Sequence, residues 1–231
     1  MGLRIDSRTV WLFDLDNTLH DAGAFVFGEL RQSMQAYVQR ELGLDADEAL
    51  RLNLQYWQRY GATLLGLVRH HGVDARHFLH DTHRIPGLEQ RVSGHRHDFA
   101  ALRRLPGRKV ILTNAPRAYA LRVLGALGIA GLFDAVLTIE DMAMFGHLRP
   151  KPDARMLRRI SVRLGVRPDH CVLVEDTLVH QKAARSVGMG TVWMQRFARC
   201  DRHAGPVATR WSMQPAYVDR RVRRLGSLLA G

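Results

Sequence analysis

VWLFDLDNTLH, from Val10 to His20, joins a short apolar run to two aspartates two residues apart. In an extended chain, side chains at i and i+2 point the same way, so Asp14 and Asp16 can face one reacting atom. One can attack while the other manages a proton. Other parts of the chain deliver polar groups in the same manner. KVILTN ends in Thr113 and Asn114, CVLVED ends in Glu175 and Asp176, and Lys151 sits between two prolines just before a helical pattern.

Working outward, the pattern predicts a strand at about Thr9 to Phe13, a long mostly helical stretch from Ala22 to Arg104, and then alternating strands and helices. Within the helical stretch, Phe25 to Leu42 reads as one amphipathic helix closed by Gly43, and Asp47 to His71 as a second, weakened in its middle by Gly61 and Gly66. Shorter helices are expected at Asp74 to His83 and Gly94 to Leu105. Beyond Pro106-Gly107 come a strand at KVILTN, a helix from Arg117 to Leu127, a strand at Ala135 to Ile139, a helix at Asp153 to Leu164, then CVLVED, another helix, and TVWM. Strands alternating with helices of this length imply right-handed crossovers and a parallel sheet covered on both faces. The expected fold is therefore α/β, a doubly wound, Rossmann-like core interrupted by helices. Val218, Val222, Leu225 and Leu229 sit at helical spacing and predict a final helix docked on that core. In open α/β sheets ligands lie beyond the carboxyl ends of the strands, where these polar groups fall.

Composition removes several function classes. With 46% hydrophobic residues and only 8 prolines the chain is expected to fold as a soluble protein rather than remain disordered. No run approaches the roughly 18 to 20 apolar residues of a membrane span, and MGLRIDSRTV lacks a signal-peptide core, so a cytoplasmic protein with no membrane partner is expected. Cys171 and Cys200 make no metal-ligand spacing and read as free thiols. The net charge of +12 comes from arginines scattered over helices and loops, with lysine only at positions 109, 151 and 182. That dispersal argues against a specific nucleic-acid polymer as partner, while still steering a small anionic substrate inward.

DLDNT, the strand-ending TN, the lone Lys151 before a helix and the late acidic pair occur in the order of motifs I to IV of the haloacid dehalogenase-like phosphohydrolase superfamily, and the chain resembles that family over most of its length. Carried over to these positions, the resemblance implies that Asp14 is the nucleophile and Asp16 the general acid and base. It also implies phosphate binding by Thr113, Asn114 and Lys151, and a Mg2+ cofactor held by Asp14, Asp16 through its carbonyl, Asp176 and Glu175. A C1-type helical cap is implied between the first two motifs, so that residues 22–96 form the cap and residues 1–21 with 97–231 the core. The residue types make chemical sense of this. A carboxylate approaching a phosphate dianion needs a hard cation beside it, and Mg2+ takes oxygen ligands. Thr18 is expected to hold Asp16 by a hydrogen bond. His180 departs from the family pattern, which often has Asn or Asp there.

Among relatives, dehalogenases lack the second aspartate that Asp16 supplies. Phosphonate-cleaving enzymes need a cap lysine, and positions 22–96 contain none. QYWQRYGATLLGL at Gln55 to Leu67, TNAPRAYALRVL, LRPKPD and VEDT resemble the pyrimidine 5′-nucleotidase branch. Asn53, Tyr56, Trp57 and Tyr60 are then candidate substrate-binding residues, through base stacking or base-edge hydrogen bonds. Core packing competes for each aromatic, because rings at helical spacing usually bury. His77, His80 and His83 recur every three residues, but packed or solvated imidazoles explain them better than a metal site. The expectation is a Mg2+-dependent phosphatase of a small phosphorylated substrate, a nucleoside 5′-monophosphate with pyrimidines preferred. A sugar-phosphate phosphatase or phosphomutase is the alternative within enzymes, and a non-catalytic phosphate- or nucleic-acid-binding protein the alternative outside them.

Overall fold

A computed structural model describes residues 5–197 and 213–229. The chain divides into two compact units, Met1–Asp21 with Val92–Gly231, and Ala22–Arg91. The first begins with β1 (Val10–Phe13), whose four residues are all buried. VWLF is a continuous apolar run, not an alternating one, because both faces of a covered parallel sheet exclude water.

The second unit is helical: a short 3-10 turn at Ala22–Ala24, then α1 (Val26–Leu42), α2 (Ala46–Tyr60), α3 (Thr63–His71), α4 (Ala75–Thr82) and α5 (Leu88–Arg91). The single helix expected over Asp47 to His71 is two. α2 starts at a reciprocal cap, in which the Glu48 N–H donates to Asp45 Oδ1 at 2.8 Å and the Asp45 N–H donates to Glu48 Oε2 at 3.1 Å. It ends at Gly61, which adopts φ 76° and donates its N–H to the Trp57 carbonyl at 2.8 Å. That left-handed conformation stops the helix, and Ala62 is extended before α3 begins.

The first unit continues with α6 (Arg96–Arg104), β2 (Arg108–Leu112), α7 (Arg117–Ala126), β3 (Ala135–Leu137), a two-stranded hairpin of β4 (Ala143–Met144) and β5 (His147–Leu148), α8 (Ala154–Arg163), β6 (Cys171–Glu175), α9 (Leu178–Ser186), β7 (Gly190–Met194) and β8 (Arg220–Val222). The sheet has the order β3-β2-β1-β6-β7-β8, and every pairing in it is parallel. The chain winds outward from β1 to one side, then returns and winds to the other. The switch in winding direction therefore lies beside β1, where a doubly wound α/β sheet binds its ligand. Leu12, Val110, Leu112, Leu137, Met156, Ile160 and Leu173 form part of one buried cluster against this sheet.

The final helix expected from the spacing of Val218, Val222, Leu225 and Leu229 is not formed. Val222 belongs to β8, paired to Met194, and Leu225–Leu229 make a 3-10 turn. Edge pairing takes the first half of the segment, and the Leu225 N–H is anchored to the buried Asp98 carboxylate at 2.8 Å. Arg196 lies 2.7 Å from the same carboxylate. Cys171 is buried at the start of β6 with its thiol pushed up to about 12 by burial, which keeps it protonated and inert. Cys200 lies outside the described residues. Among the described residues no helix is long and apolar enough to cross a membrane.

Candidate functional site

Asp14 follows β1 directly, and its N–H donates to the Val174 carbonyl of β6 at 3.0 Å, which extends the sheet pairing up to the aspartate. The chain then turns tightly, with the Thr18 and Leu19 N–H groups both donating to the Leu15 carbonyl and Asn17 at φ 58°. Asn tolerates that left-handed conformation better than most residues. The turn leaves Asp14 buried at the end of the central strand and Asp16 half-buried just beyond it.

Lys151 is brought to Asp14 by α8 and the loop before it. Asn114, at the end of β2, clamps the lysine backbone at two points: Asn114 Nδ2 donates to the Lys151 carbonyl and the Lys151 N–H donates to Asn114 Oδ1, both at 2.9 Å. Expected among the phosphate-binding groups, Asn114 thus has both ends of its amide on Lys151. The Lys151 ammonium, in a residue only 3% exposed, donates to Asp14 Oδ1 and to Glu175 Oε2, each at 2.7 Å. Thr113 is buried beside Asn114, and its hydroxyl accepts from the Ala115 N–H at 3.1 Å.

Glu175 ends β6, and its Oε2 lies 3.0 Å from His180 Nδ1 as well as beside Lys151. Asp176 follows it. The Asp176 carbonyl accepts from the Trp193 indole at 2.8 Å, while Gln181, fully buried, donates to the carbonyls of Glu175 and Val192. These bonds tie the acidic loop to α9 and β7.

The charges in this cluster do not balance. Asp14, Glu175 and Asp176 each offer a carboxylate oxygen, all within 4.8 Å of one another. Burial pushes Asp14 up to about 6, the Glu175 carboxylate adds to that, and Lys151 only partly offsets it. Asp176 is also raised, by burial and then by Glu175 and Asp14. Glu175 is the exception: burial pushes it up, but Lys151 and His180 together hold it below the usual carboxylate range. Burial pulls the Lys151 ammonium down, yet the two carboxylates keep it above its ordinary value. Crowding of the three carboxyls thus makes it costly to ionise Asp14 and Asp176, and an oxygen-only donor set of this kind suits a hard divalent cation such as Mg2+.

Asp16 is held differently from the expectation. Thr18 Oγ1 is buried with no hydrogen-bond partner, so it does not orient the aspartate. Asp16 Oδ1 instead accepts from the Tyr119 hydroxyl at 2.7 Å, and His20 Nε2 lies 2.7 Å from the same oxygen. Burial, then the Asp16 charge, pushes the Tyr119 phenol well up, so it stays a donor. Both residues stand in segments quoted above, VWLFDLDNTLH and TNAPRAYALRVL, but their local spacing gave no sign of this contact.

Asn53, Tyr56, Trp57 and Tyr60 lie on α2 in the helical unit. Tyr56 is only 7% exposed, its hydroxyl is 2.8 Å from His71 Nε2, and a Cβ built at Gly66 of α3 would overlap its ring. Tyr56 therefore fills the α2–α3 interface and does not present a stacking face. Gly66→Ala gains about 1 kcal/mol of helix propensity, but the added carbon would sit 2.2 Å from a carbon of the buried ring, an overlap at the upper end of the usual cost of about 1–3 kcal/mol, so the variant should unfold at lower urea concentration. An unchanged midpoint would refute this packing. Tyr60 is half-buried, with its hydroxyl 2.6 Å from His70 Nε2, and the half-buried Asn53 accepts from Thr63 through its carbonyl. Trp57 is 61% exposed. Of the recurring histidines, His77 Nδ1 lies 2.9 Å from the Tyr37 hydroxyl, His83 Nδ1 3.1 Å from the Leu79 carbonyl, and His80 Nδ1 3.4 Å from Asp81.

Comparison with known proteins agrees with the motif order. A family model described as haloacid dehalogenase-like hydrolase matches residues 9–188. Over 199 residues the chain is 29% identical to Phosphate metabolism protein 8 of Saccharomyces cerevisiae, covering 80% of this chain and 61% of that protein. It is 36% identical over 80 residues to Fructose-1-phosphate phosphatase YqaB of Escherichia coli, covering 35% of this chain and 40% of that one. The chain thus spans less than two thirds of the length of either relative. The crystal structure of a HAD phosphatase from Thermococcus onnurineus superposes with a TM-score of 0.62 at 22% identity, over 96% of both chains, and supports the fold.

Proposed function

The chain belongs to the haloacid dehalogenase-like hydrolases, and from that premise we propose that it is a phosphomonoesterase with Asp14 as nucleophile and Asp16 as general acid and base. The observation that carries this reading is the buried Lys151 ammonium, 2.7 Å from both Asp14 Oδ1 and Glu175 Oε2. A cation fixed against a carboxylate at the end of the central strand is what a phosphate dianion requires in order to approach that carboxylate. Lys151 and the Thr113 hydroxyl hold phosphate oxygens. Asp14 attacks the phosphorus, and Asp16 passes a proton to the departing oxygen as the P–O bond breaks. Asp16 then takes a proton from the water that hydrolyses the aspartyl-phosphate. The residues that would hold Mg2+ are Asp14, Asp176 and Glu175, with the Asp16 carbonyl. When bound, the ion supplies positive charge against the phosphate oxygens.

The substrate in this reading is a nucleoside 5′-monophosphate, pyrimidines preferred, and the helical unit at residues 22–91 acts as the cap that selects it. The segments similar to pyrimidine nucleotidases and the exposed ring of Trp57 on α2 favour it. A phosphorylated sugar is the second reading, favoured by the name of the Escherichia coli relative. Steady-state kinetics on UMP, CMP, AMP and a hexose phosphate decides between them. UMP or CMP should exceed the hexose phosphate in kcat/KM by about ten-fold or more, the range expected when one good ring contact acts in the transition state. Trp57→Ala should shrink that ratio and leave turnover of a small aryl phosphate unchanged. Preference for the hexose phosphate transfers the assignment to the second reading.

A further inference from the structure

Two side chains from distant points in the sequence converge on one oxygen of Asp16. The Tyr119 hydroxyl, from α7, donates to Oδ1 at 2.7 Å, and His20 Nε2 lies 2.7 Å from the same atom. His20 is fully buried, and its Nδ1 has no hydrogen-bond partner. An imidazole with Nδ1 unmatched and Nε2 against a carboxyl oxygen makes its useful hydrogen bond by carrying a proton on Nε2 and donating it. Oδ1 is then an acceptor twice over. A proton placed on Oδ1 would turn that oxygen into a donor and set it against two others, so the arrangement selects the other oxygen for the proton that moves.

We propose that Tyr119 and His20 are positioning residues for the proton transfer, fixing the plane of the Asp16 carboxyl and assigning its transferable proton to Oδ2. This rests on the phosphomonoesterase reading above and adds how its acid is aimed. In the first half-reaction the Asp16 Oδ2–H bond breaks as the leaving oxygen gains the proton, while the P–O bond to that oxygen breaks and the Asp14–P bond forms. An acid held in this way matters in proportion to the basicity of the leaving group. An alkoxide, such as a nucleoside or sugar oxygen, needs the proton, whereas a nitrophenolate leaves without it.

The test compares kcat/KM for p-nitrophenyl phosphate with kcat/KM for an alkyl phosphate such as UMP or a hexose phosphate, whichever the wild type turns over. This parameter covers the steps through phosphoryl transfer, so later hydrolysis of the aspartyl-phosphate does not mask the effect. Tyr119→Phe removes one hydroxyl and should lower the alkyl value by about ten-fold or more while changing the aryl value less than about three-fold. His20→Leu should act in the same direction, and His20→Gln, which keeps an N–H donor, should restore part of the loss. Circular dichroism melts accompany each variant. If the buried His20 variants fail to fold, Tyr119→Phe alone decides. Equal losses on both substrates, or no loss, overturn the positioning role while leaving the phosphatase reading intact. A wild type that turns over neither substrate with Mg2+ overturns the phosphatase reading, and this inference with it.

Discussion

An Asp14→Asn protein releases phosphate from any substrate more slowly than the wild type by about four orders of magnitude or more, the scale on which removal of a covalent nucleophile is felt. The loss is chemical, not structural. Asn has nearly the same size, and the wild-type carboxylate is itself an uneasy occupant: burial and the neighbouring Glu175 charge push it up to about 6. An acid raised in the folded state contributes stability at low pH that is lost as pH rises through the folded value. At neutral pH, therefore, ionised Asp14 costs folding free energy. In metal-free buffer the amide variant should melt at or above the wild-type temperature while being inactive. Phosphate release measured beside thermal unfolding checks both halves, and turnover at the wild-type rate would remove covalent catalysis from the account.

Removal of divalent metal is the second large effect. Treatment with EDTA should bring activity down by about three orders of magnitude, since a Lewis acid contributes several kcal/mol at such a site, and Mg2+ should restore it. The crowding of carboxyl oxygens from Asp14, Glu175 and Asp176 gives a second readout that needs no substrate. Mg2+ at about 100 times its dissociation constant should raise the unfolding free energy by about 2.7 kcal/mol. Asp176→Asn should lose most of that stabilisation, because it withdraws one of the three carboxylates. Full activity in the chelator would refute the metal assignment.

What the sequence disclosed, and what it hid, follows from the range of the interactions involved. The strands at VWLF and CVLVE were legible because burial on both faces writes itself as an unbroken apolar run, and the polar residues after each run marked the end of the sheet where they now stand. The break between α2 and α3 is half legible: Gly61 stands out in the sequence as a weak point, but only its left-handed φ of 76° shows that it terminates a helix rather than weakening one. The late hydrophobic spacing misleads because Val218 lies in the loop before β8, Val222 in the strand, and Leu225 and Leu229 in a 3-10 turn. Edge pairing to β7 overrode the helical period. The aiming of Asp16 was the least accessible. Thr18 was the nearest hydroxyl in sequence, yet the bond comes from Tyr119, 103 residues away, and no local pattern encodes a contact at that separation.

The placement of β8 bears on how the molecule stays apart from its neighbours. Among the described residues, in the sheet order β3-β2-β1-β6-β7-β8, the outermost strands are the three-residue β3 and β8, while β7, with its Thr191–Met194 stretch wholly buried, lies one place in. A five-residue apolar strand with an open row of N–H and C=O groups is a template for another chain, and proteins blunt such rows with short or charged edges. Here the guard is Arg220-Arg221-Val222, with Asp219 accepting from the Thr191 N–H at 2.9 Å and pairing with Arg185 to hold it in register. A short strand carrying two arginines thus lies over β7, where a longer flat apolar strand would invite stacking into aggregates.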